Sequence, residues 1–355
     1  MTLAVHPRPT PAPVARASRC LPLALGGLLW ACALDALPAR AADTVLLNVS
    51  YDVTREFYKD YNAVFAKHWR DTHAGDTVTI NQSHGGSTKQ ARSVAEGLAA
   101  DVITMNQAND IDLLAEQAHL IPADWAKRLP DASAPTTSVQ VILVRKGNPK
   151  GLKDWADLGR AGVSVVIPNP KTSGNGRYAY LALWGSVTRN GGSEAEARAL
   201  VQRTFANVPV FDGGGRAATT TFAQRGIGDA LVTFESEVPL ILGEFGGGFE
   251  MVIPKLTVLA ENPVSVVDAV VDRKGTRALA EAYLQYLWSD EGQTVAARHH
   301  LRPRSARVAA AFAKEFPAVR TFTVTEAFGG WQKAQKTHFA DGGVFDQVVL
   351  PAAKP

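Results

Sequence analysis

Four short segments of glycine and small polar residues each stand directly before a helical pattern. They comprise residues 50–52, 83–87, 168–176 and 212–216 of the 355-residue chain. The first turn of a helix has unpaired N–H groups and a positive dipole end, and serine and threonine hydroxyls add further donors. Glycine lets the backbone come close to a ligand. These residue types therefore favour the binding of a small anion by uncharged donors.

The same segments contain few cations to neutralise an anion, chiefly Lys171, Arg177 and Arg216. Burying an isolated charge costs tens of kcal/mol by Born estimates, whereas each hydrogen bond to a charged group contributes roughly 1.5–3 kcal/mol. Roughly six or seven converging donors could hold a dianion on this scale. One segment cannot supply so many donors, so the hypothesis requires that all four meet.

Each segment follows a short apolar stretch that predicts a strand, at 45–49, 78–80, 163–167 and 208–211. Alternating strands and helices indicate an α/β fold with largely parallel sheets, in which ligands bind beyond the carboxyl ends of the strands. Ser87 followed by Gln90 predicts a capping box at the second helix. Two such units precede residue 125 and two lie between 160 and 230, so we expect two lobes.

The lobe boundaries follow from this spacing. We expect lobe 1 over residues 42–134, with a return segment at about 240–310, and lobe 2 over 135–239. C-terminal helices at about 311–355 are expected to pack across both lobes.

The first 41 residues are typical of a secretory signal peptide, with arginines, a 14-residue apolar run over 21–34 and an Ala39-x-Ala41 site. We expect cleavage after Ala41 and a periplasmic protein. This segment holds four arginines, one aspartate and both cysteines, which leaves 33 of the 37 basic and 33 of the 34 acidic residues. A neutral mature chain gives no support for nucleic-acid binding, which depends on a basic surface.

Sequence signatures of enzymes are missing. The chain has no Walker A motif, G-x-S-x-G elbow or H-E-x-x-H pair, and no cysteine beyond Cys32 could act as a nucleophile. Asp110 and Asp112 fall on different helix faces, where solvated or capping roles are expected. We therefore predict no catalytic residue, metal or cofactor. A periplasmic hydrolase of small sulfate or phosphate esters and a binder of another tetrahedral oxyanion stay open as alternatives.

Seven blocks of the chain, in this order, resemble the periplasmic sulfate/thiosulfate-binding proteins that serve bacterial ABC importers. They are NVSYD (48–52), QSHGGS (82–87), LVRKGNP (143–149), PNPKTSGN (168–175), RGIGD (225–229), FGGW (328–331) and HF (338–339). The resemblance implies a type II solute-binding protein of two lobes. Each lobe would be a mainly parallel sheet flanked by helices, and an oxyanion would bind in the cleft between them. It also implies a monomer that delivers sulfate or thiosulfate to an inner-membrane ABC permease.

The resemblance carries ligand contacts over to matching positions. These are the N–H of Asp52, the hydroxyl of Ser87, the turn of Ser173, Gly174 and Asn175, and the N–H of Gly215, with Arg216 just behind it. The sulfate branch of the family usually has Gly at position 175 and Ala at 215. Because those contacts use backbone N–H groups, the substitutions need not remove them.

Phe234 is the departure that bears on specificity. Sulfate-specific members have Trp in this segment, where the indole N–H donates to the anion, and phenylalanine has no donor. The thiosulfate branch resembles this chain here and at 104–107, 121–125, 171–175 and 211–215, whereas Gly85 resembles the sulfate branch. Thiosulfate carries one larger sulfur that accepts hydrogen bonds weakly, so an apolar ring suits it. We expect both anions to bind, with thiosulfate bound at least as well as sulfate.

Overall fold

Two β-sheets, each covered by helices, organise residues 43–349, which are the residues that the computed structural model describes. The signal peptide and cleavage site predicted over 1–41 lie outside them. Within these residues no helix is both long enough and apolar enough to cross a membrane.

The strands have the following bounds: β1 Asp43–Tyr51, β2 Thr77–Gly85, β3 Val102–Thr104, β4 Thr136–Arg145, β5 Val165–Val166, β6 Ala230–Phe234, β7 Phe249–Val252, β8 Thr257–Asn262, β9 Val264–Val266, β10 Arg302–Pro303 and β11 Thr321–Phe322.

The helices have these bounds: α1 Arg55–Thr72, α2 Ser87–Ala95, α3 Ala108–Glu116, α4 Pro130–Ser133, α5 Gly174–Thr188, α6 Glu194–Ala206, α7 Gly215–Thr219, α8 Glu237–Phe245, α9 Asp268–Lys274, α10 Arg277–Gln285, α11 Asp290–Arg298, α12 Ala306–Ala311, α13 Val324–Phe328, α14 Trp331–Ala334 and α15 Val344–Val349. Short 3₁₀ segments lie at Asp52–Thr54, Trp125–Lys127, Trp155–Gly159 and Tyr286–Trp288, and π-helical turns at Thr220–Gln224 and Gln335–Phe339.

Lobe 1 is built on the sheet β2-β1-β3-β9. β1 pairs in parallel with β2 and with β3, as the βα pattern predicts, and β9 joins β3 in the antiparallel sense. Leu46 and Val49 of β1 point to opposite faces, and each belongs to a separate buried apolar cluster. The sheet is therefore covered on both faces, which leaves its strand ends and loops for a ligand.

Lobe 2 contains the order β11-β8-β4-β6-β5, with β7 and β10 also paired to β4. The expectation of a mainly parallel sheet is wrong here: β4 pairs antiparallel with β6, β7, β8 and β10, and only the β5–β6 and β8–β11 pairs described are parallel. The βα units of residues 160–230 do give the parallel β5–β6 pair. However, β4 reaches the sheet from lobe 1 and runs the other way through its middle.

The strand predicted at 208–211 is also not formed. This segment runs beside β5, where the N–H of Val165 donates to the carbonyl of Asn207 (2.9 Å) and the N–H of Asn169 to that of Asp212 (2.7 Å). These two separate hydrogen bonds stand in place of the continuous hydrogen-bond ladder of a β-strand. They still bring residues 212–216 to the carboxyl end of β5.

Chain crossings between the sheets differ from the expected boundaries. Within the expected return segment, β7 and β8 pair with β4 in lobe 2, and the chain rejoins the first sheet at β9. Helices α10 and α11 then pack into the core of lobe 1, whereas Phe322, Trp331 and Phe345 of the C-terminal part pack into the core of lobe 2.

Candidate anion-binding site

The carboxylate of Asp52 links the two lobes at the end of β1. Its Oδ2 accepts a hydrogen bond of 3.2 Å from the backbone N–H of Arg216, in the first turn of α7. A Cβ on Gly214 would lie 2.6 Å from the same oxygen, so glycine permits this approach. Burial raises the pKa of Asp52, while the N–H groups of Arg216, Asp52 and Val53 act in the opposite direction. The first and fourth sequence segments therefore meet, and their donors are aimed at a negative group.

The second segment contacts the third and fourth. A Cβ placed on Gly86, which precedes α2 in lobe 1, would lie 2.8 Å from the carbonyl oxygens of both Thr172 and Gly213 in lobe 2. The hydroxyl of Thr172 in turn donates to the carbonyl of Gly213 (3.2 Å). The backbones of three segments thus touch at one point, and a side chain at position 86 would keep them apart.

The turn of Ser173, Gly174 and Asn175 forms the start of α5. Ser173 is its N-cap, and its hydroxyl accepts from the N–H of Gly176 at 3.4 Å. The side-chain oxygen of Asn175 accepts from Gln140 Nε2 (2.8 Å), which fixes the amide in the core of lobe 2. The N–H groups of Gly174 and Asn175 precede the first hydrogen bond within the helix, so they are the donors that this helix start offers. A Cβ on Gly174 would overlap the side chain of Asn106 from lobe 1, so this turn also lies at the contact between lobes.

Ser87 occupies a different position from the one expected. The cap residue of α2 is Gly86, and Gln90 accepts from Ser83 Oγ (3.2 Å), so the predicted capping box is wrong. Ser87 is the first helical residue, 1% exposed, and its hydroxyl donates to Asp110 Oδ2. A hydroxyl has one hydrogen. Ser87 must therefore release Asp110 in order to donate to an anion.

Asp110 is the residue that sequence reasoning missed at this point. We expected a solvated or capping carboxylate, but Asp110 is fully buried beneath the start of α2. Besides Ser87, it accepts from Thr88 Oγ1 (3.0 Å) and from Gln107 Nε2 (2.8 Å). The one sequence signal for a role of Asp110 near the site is its position three residues after the 104–107 segment. Its partners satisfy the carboxylate when Ser87 turns away.

The guanidinium of Arg216 is directed away from the meeting point, whereas that of Arg177 lies beside Asp110. Arg216 contacts Glu56 through Nη2 (2.8 Å) and Glu244 through Nη1 (3.6 Å), so only its N–H joins the cluster around Asp52. Arg177 donates from Nε to the carbonyl of Pro170 (2.9 Å), and its Nη1 lies 3.9 Å from Asp110 Oδ1. Burial lowers the pKa of Arg177. Arg216 therefore contributes a backbone N–H to the cluster, while Arg177 holds a buried Nη1 with no hydrogen-bond partner among the described residues.

Phe234 ends β6 and is 2% exposed. Its ring makes edge contacts with Tyr51 of lobe 1 (centroids 6.5 Å apart) and Tyr178 of lobe 2 (5.8 Å). The ring thus lies between a tyrosine of each lobe and has no hydrogen-bond donor.

Glu237, the first residue of α8, was also missed as a site residue. It is 1% exposed, and neither of its carboxyl oxygens has a hydrogen-bond partner within residues 43–349. Burial raises its pKa to about 8, while Arg216 acts in the opposite direction and Asp52 in the same direction. An acidic residue three positions after a strand carries no sequence signal of burial, so only the packing of α8 reveals it.

These features define a class of protein: two α/β lobes joined by crossing strands, with helix N-termini that converge between them. Residues 46–302 match the model of the family described as bacterial extracellular solute-binding protein, and the chain belongs to that family.

Relatives within the family refine this assignment. The chain is 60% identical to the thiosulfate-binding protein of Pseudomonas aeruginosa over 330 residues, which cover 93% of this chain and 96% of that protein. It is 53% identical to the sulfate-binding protein of Escherichia coli over 317 residues, or 89% and 96% of the two chains. The structure of the sulfate-binding protein SubI of Mycobacterium tuberculosis superposes with a TM-score of 0.74 at 29% identity, covering 82% of this chain and 98% of that one.

Proposed function

We propose that this protein captures sulfate and thiosulfate between its lobes and delivers them to an ABC permease. The observation that carries the proposal is the meeting of four loops at one point, with the Arg216 guanidinium paired to Glu56. Backbone N–H groups and hydroxyls then stabilise the dianion, and a buried anion held by several aimed dipoles needs no adjacent cation. The names of the relatives support sulfur oxyanions as the ligands.

We assign the ligand contacts in this proposal to groups of all four loops. The N–H groups of Asp52 and Gly215, the turn of Ser173, Gly174 and Asn175, and the hydroxyl of Ser87 surround the anion, and Arg216 supports the N-terminus of α7 from behind. Closure of the lobes brings these groups together, since they belong to different sheets.

Phe234 favours an affinity for thiosulfate that is at least equal to the affinity for sulfate. Its buried ring has no hydrogen-bond donor. A sulfate oxygen next to the ring would lack a partner, whereas the sulfur of thiosulfate accepts hydrogen bonds weakly and loses little there. The names of relatives do not decide between the anions, because a thiosulfate-binding and a sulfate-binding protein are both more than 50% identical to this chain.

We also propose that the protein acts in the periplasm. A signal peptide cleaved after Ala41 would release a monomeric protein into the periplasm, where it meets the inner-membrane permease. A binding protein needs no catalytic residue, and ester hydrolysis is the alternative to be tested with chromogenic sulfate and phosphate esters.

One observation favours a second ligand, hydrogen phosphate. That anion carries a proton and needs an acceptor in its site, and the Asp52 carboxylate lies at the start of α7. Selection for sulfate and thiosulfate over phosphate therefore has to be measured.

Isothermal titration calorimetry on protein freed of anions by dialysis tests the proposal. We expect saturable 1:1 binding of sulfate and thiosulfate, with phosphate, molybdate and small carboxylates much weaker in a thermal-shift competition series. Binding of phosphate in preference to both sulfur oxyanions, or no binding of any of them, would overturn it.

A further inference from the structure

Glu237 is a buried acid that the contacts proposed above do not use. It opens α8 directly behind β6, and its Oε1 and Oε2 lack hydrogen-bond partners among the described residues. An ionised carboxylate without donors in a buried position is strongly destabilised, so such a group keeps its proton.

The charges that act on Glu237 come from three other elements. Arg216 of α7 is the cation, Asp52 after β1 and Glu56 of α1 are acids, and Glu244 is a fourth carboxylate on its own helix. The guanidinium of Arg216 is already shared between Glu56 and Glu244. Glu237 therefore faces more negative than positive charge, which also disfavours its ionised form.

A neutral carboxyl group carries an O–H donor, and this one has no acceptor within residues 43–349. Its electrostatic partners Asp52 and Arg216 are the pair that joins the lobes at the candidate site. Phe234, three residues earlier, supplies no donor to that site. A bound oxyanion would give the Glu237 proton the acceptor that it lacks.

We propose that Glu237, as a neutral carboxylic acid, donates a hydrogen bond to the bound anion, and that loss of this proton expels the anion. The proposal rests on the function proposed above. It assigns a specificity-determining residue and makes anion capture depend on proton uptake in mildly alkaline solution.

The sign of the pH dependence follows from linkage. The bound dianion favours the protonated form of Glu237. Burial raises the pKa of this carboxyl to about 8 in the free protein, so above that pH anion binding requires uptake of one proton by Glu237. Sulfate and thiosulfate are themselves dianions throughout this range. The dissociation constant should hence be nearly flat below pH 7 and rise about tenfold between pH 7 and pH 9.

Calorimetric titrations of sulfate and thiosulfate from pH 6.5 to 9.5 test the proposal on the full mature chain. Glu237→Gln keeps a neutral donor of similar shape, and we expect binding at pH 7 with a flat profile up to pH 9. Glu237→Met removes the donor and should weaken binding about tenfold or more at pH 7. Glu291→Gln replaces an exposed acid of α11, outside the group of charges that act on Glu237, and as the control it should keep the wild-type slope.

The outcomes separate the two proposals. A wild-type protein that binds neither anion at any pH refutes the proposed function. A wild-type protein that binds with a flat profile, or a Glu237→Gln variant that keeps the wild-type slope, refutes the role of Glu237 while the function stands. Circular dichroism and thermal unfolding of each variant show that an affected profile does not come from misfolding.

Discussion

The Asp52 carboxylate of lobe 1 accepts a hydrogen bond from the backbone N–H of Arg216 in lobe 2, with Oδ2 and N 3.2 Å apart. This bond places a negative group where the start of α7 offers donors to an anion. Asp52 thus joins the lobes, and in the proposed complex it would also add charge beside the anion.

Replacement of Asp52 separates these effects. Asp52→Asn keeps an oxygen acceptor for the Arg216 N–H and removes the charge, so sulfate should bind at least as tightly as in the wild type. Asp52→Ala removes the acceptor as well, and loss of about one hydrogen bond predicts roughly tenfold weaker binding. Calorimetry at pH 7 measures both, and equal weakening by Asn and Ala would contradict this account.

Substitution of Gly86 should hinder closure of the lobes. In Gly86→Ala the new Cβ would lie 2.8 Å from two carbonyl oxygens of lobe 2, and overpacking of this kind costs about 1–3 kcal/mol. We expect roughly tenfold or more weaker anion binding and, by small-angle X-ray scattering, a larger radius of gyration with ligand. Gly213→Ala is the matched control, because nothing lies within 4 Å of its Cβ position. If both variants bind alike, the Gly86 contact does not limit closure.

Phe234→Trp should shift the preference towards sulfate. The indole N–H supplies a donor to a fourth oxygen, and a hydrogen bond to a charged group contributes roughly 1.5–3 kcal/mol, or about ten- to a hundredfold in the ratio of dissociation constants. The ratio is the quantity to measure, because the larger ring also strains the contacts with Tyr51 and Tyr178. Phe234→Leu has no donor and should leave the ratio near its wild-type value. An unchanged ratio in the Trp variant means that position 234 does not face the ligand.

His338 makes stability fall in acid. Burial lowers its pKa to about 4, and its Nδ1 lies 2.9 Å from the hydroxyl of Tyr180. The unfolded chain binds this proton near pH 6.5, so the folded state loses stability as pH falls from about 6.5 to 4, by up to about 3 kcal/mol. Urea unfolding of wild type and His338→Phe between pH 7 and 4.5 measures the slope. Over this range the variant should gain stability relative to the wild type by up to about 3 kcal/mol. His84 and His300, whose pKa values burial lowers, and Glu237, whose pKa burial raises, contribute alike to both proteins, and parallel profiles would exclude an effect of His338.

Helical and strand patterns near the site could be read from the sequence because their signals are local. The apolar stretch of β1 and the Gly-rich segments before α2, α5 and α7 follow from residue types within a few positions. By contrast, the direction of β4 and the missing strand at 208–211 depend on which distant strand lies alongside, and no local pattern records this. The burial of Asp110 and Glu237 has the same origin.

The sequence by itself determined that this chain offers an anion uncharged donors, since Ser, Asn and Gly before helices define those donors without reference to anything distant. Tertiary structure decided how the donors meet. Packing of α2 against α3 turned the Ser87 hydroxyl to Asp110, and contact between the lobes set the Asp52 carboxylate against the Arg216 N–H and buried Glu237 among acids. Desolvation and contacts between segments distant in the sequence produce these states, and both arise only when the chain packs.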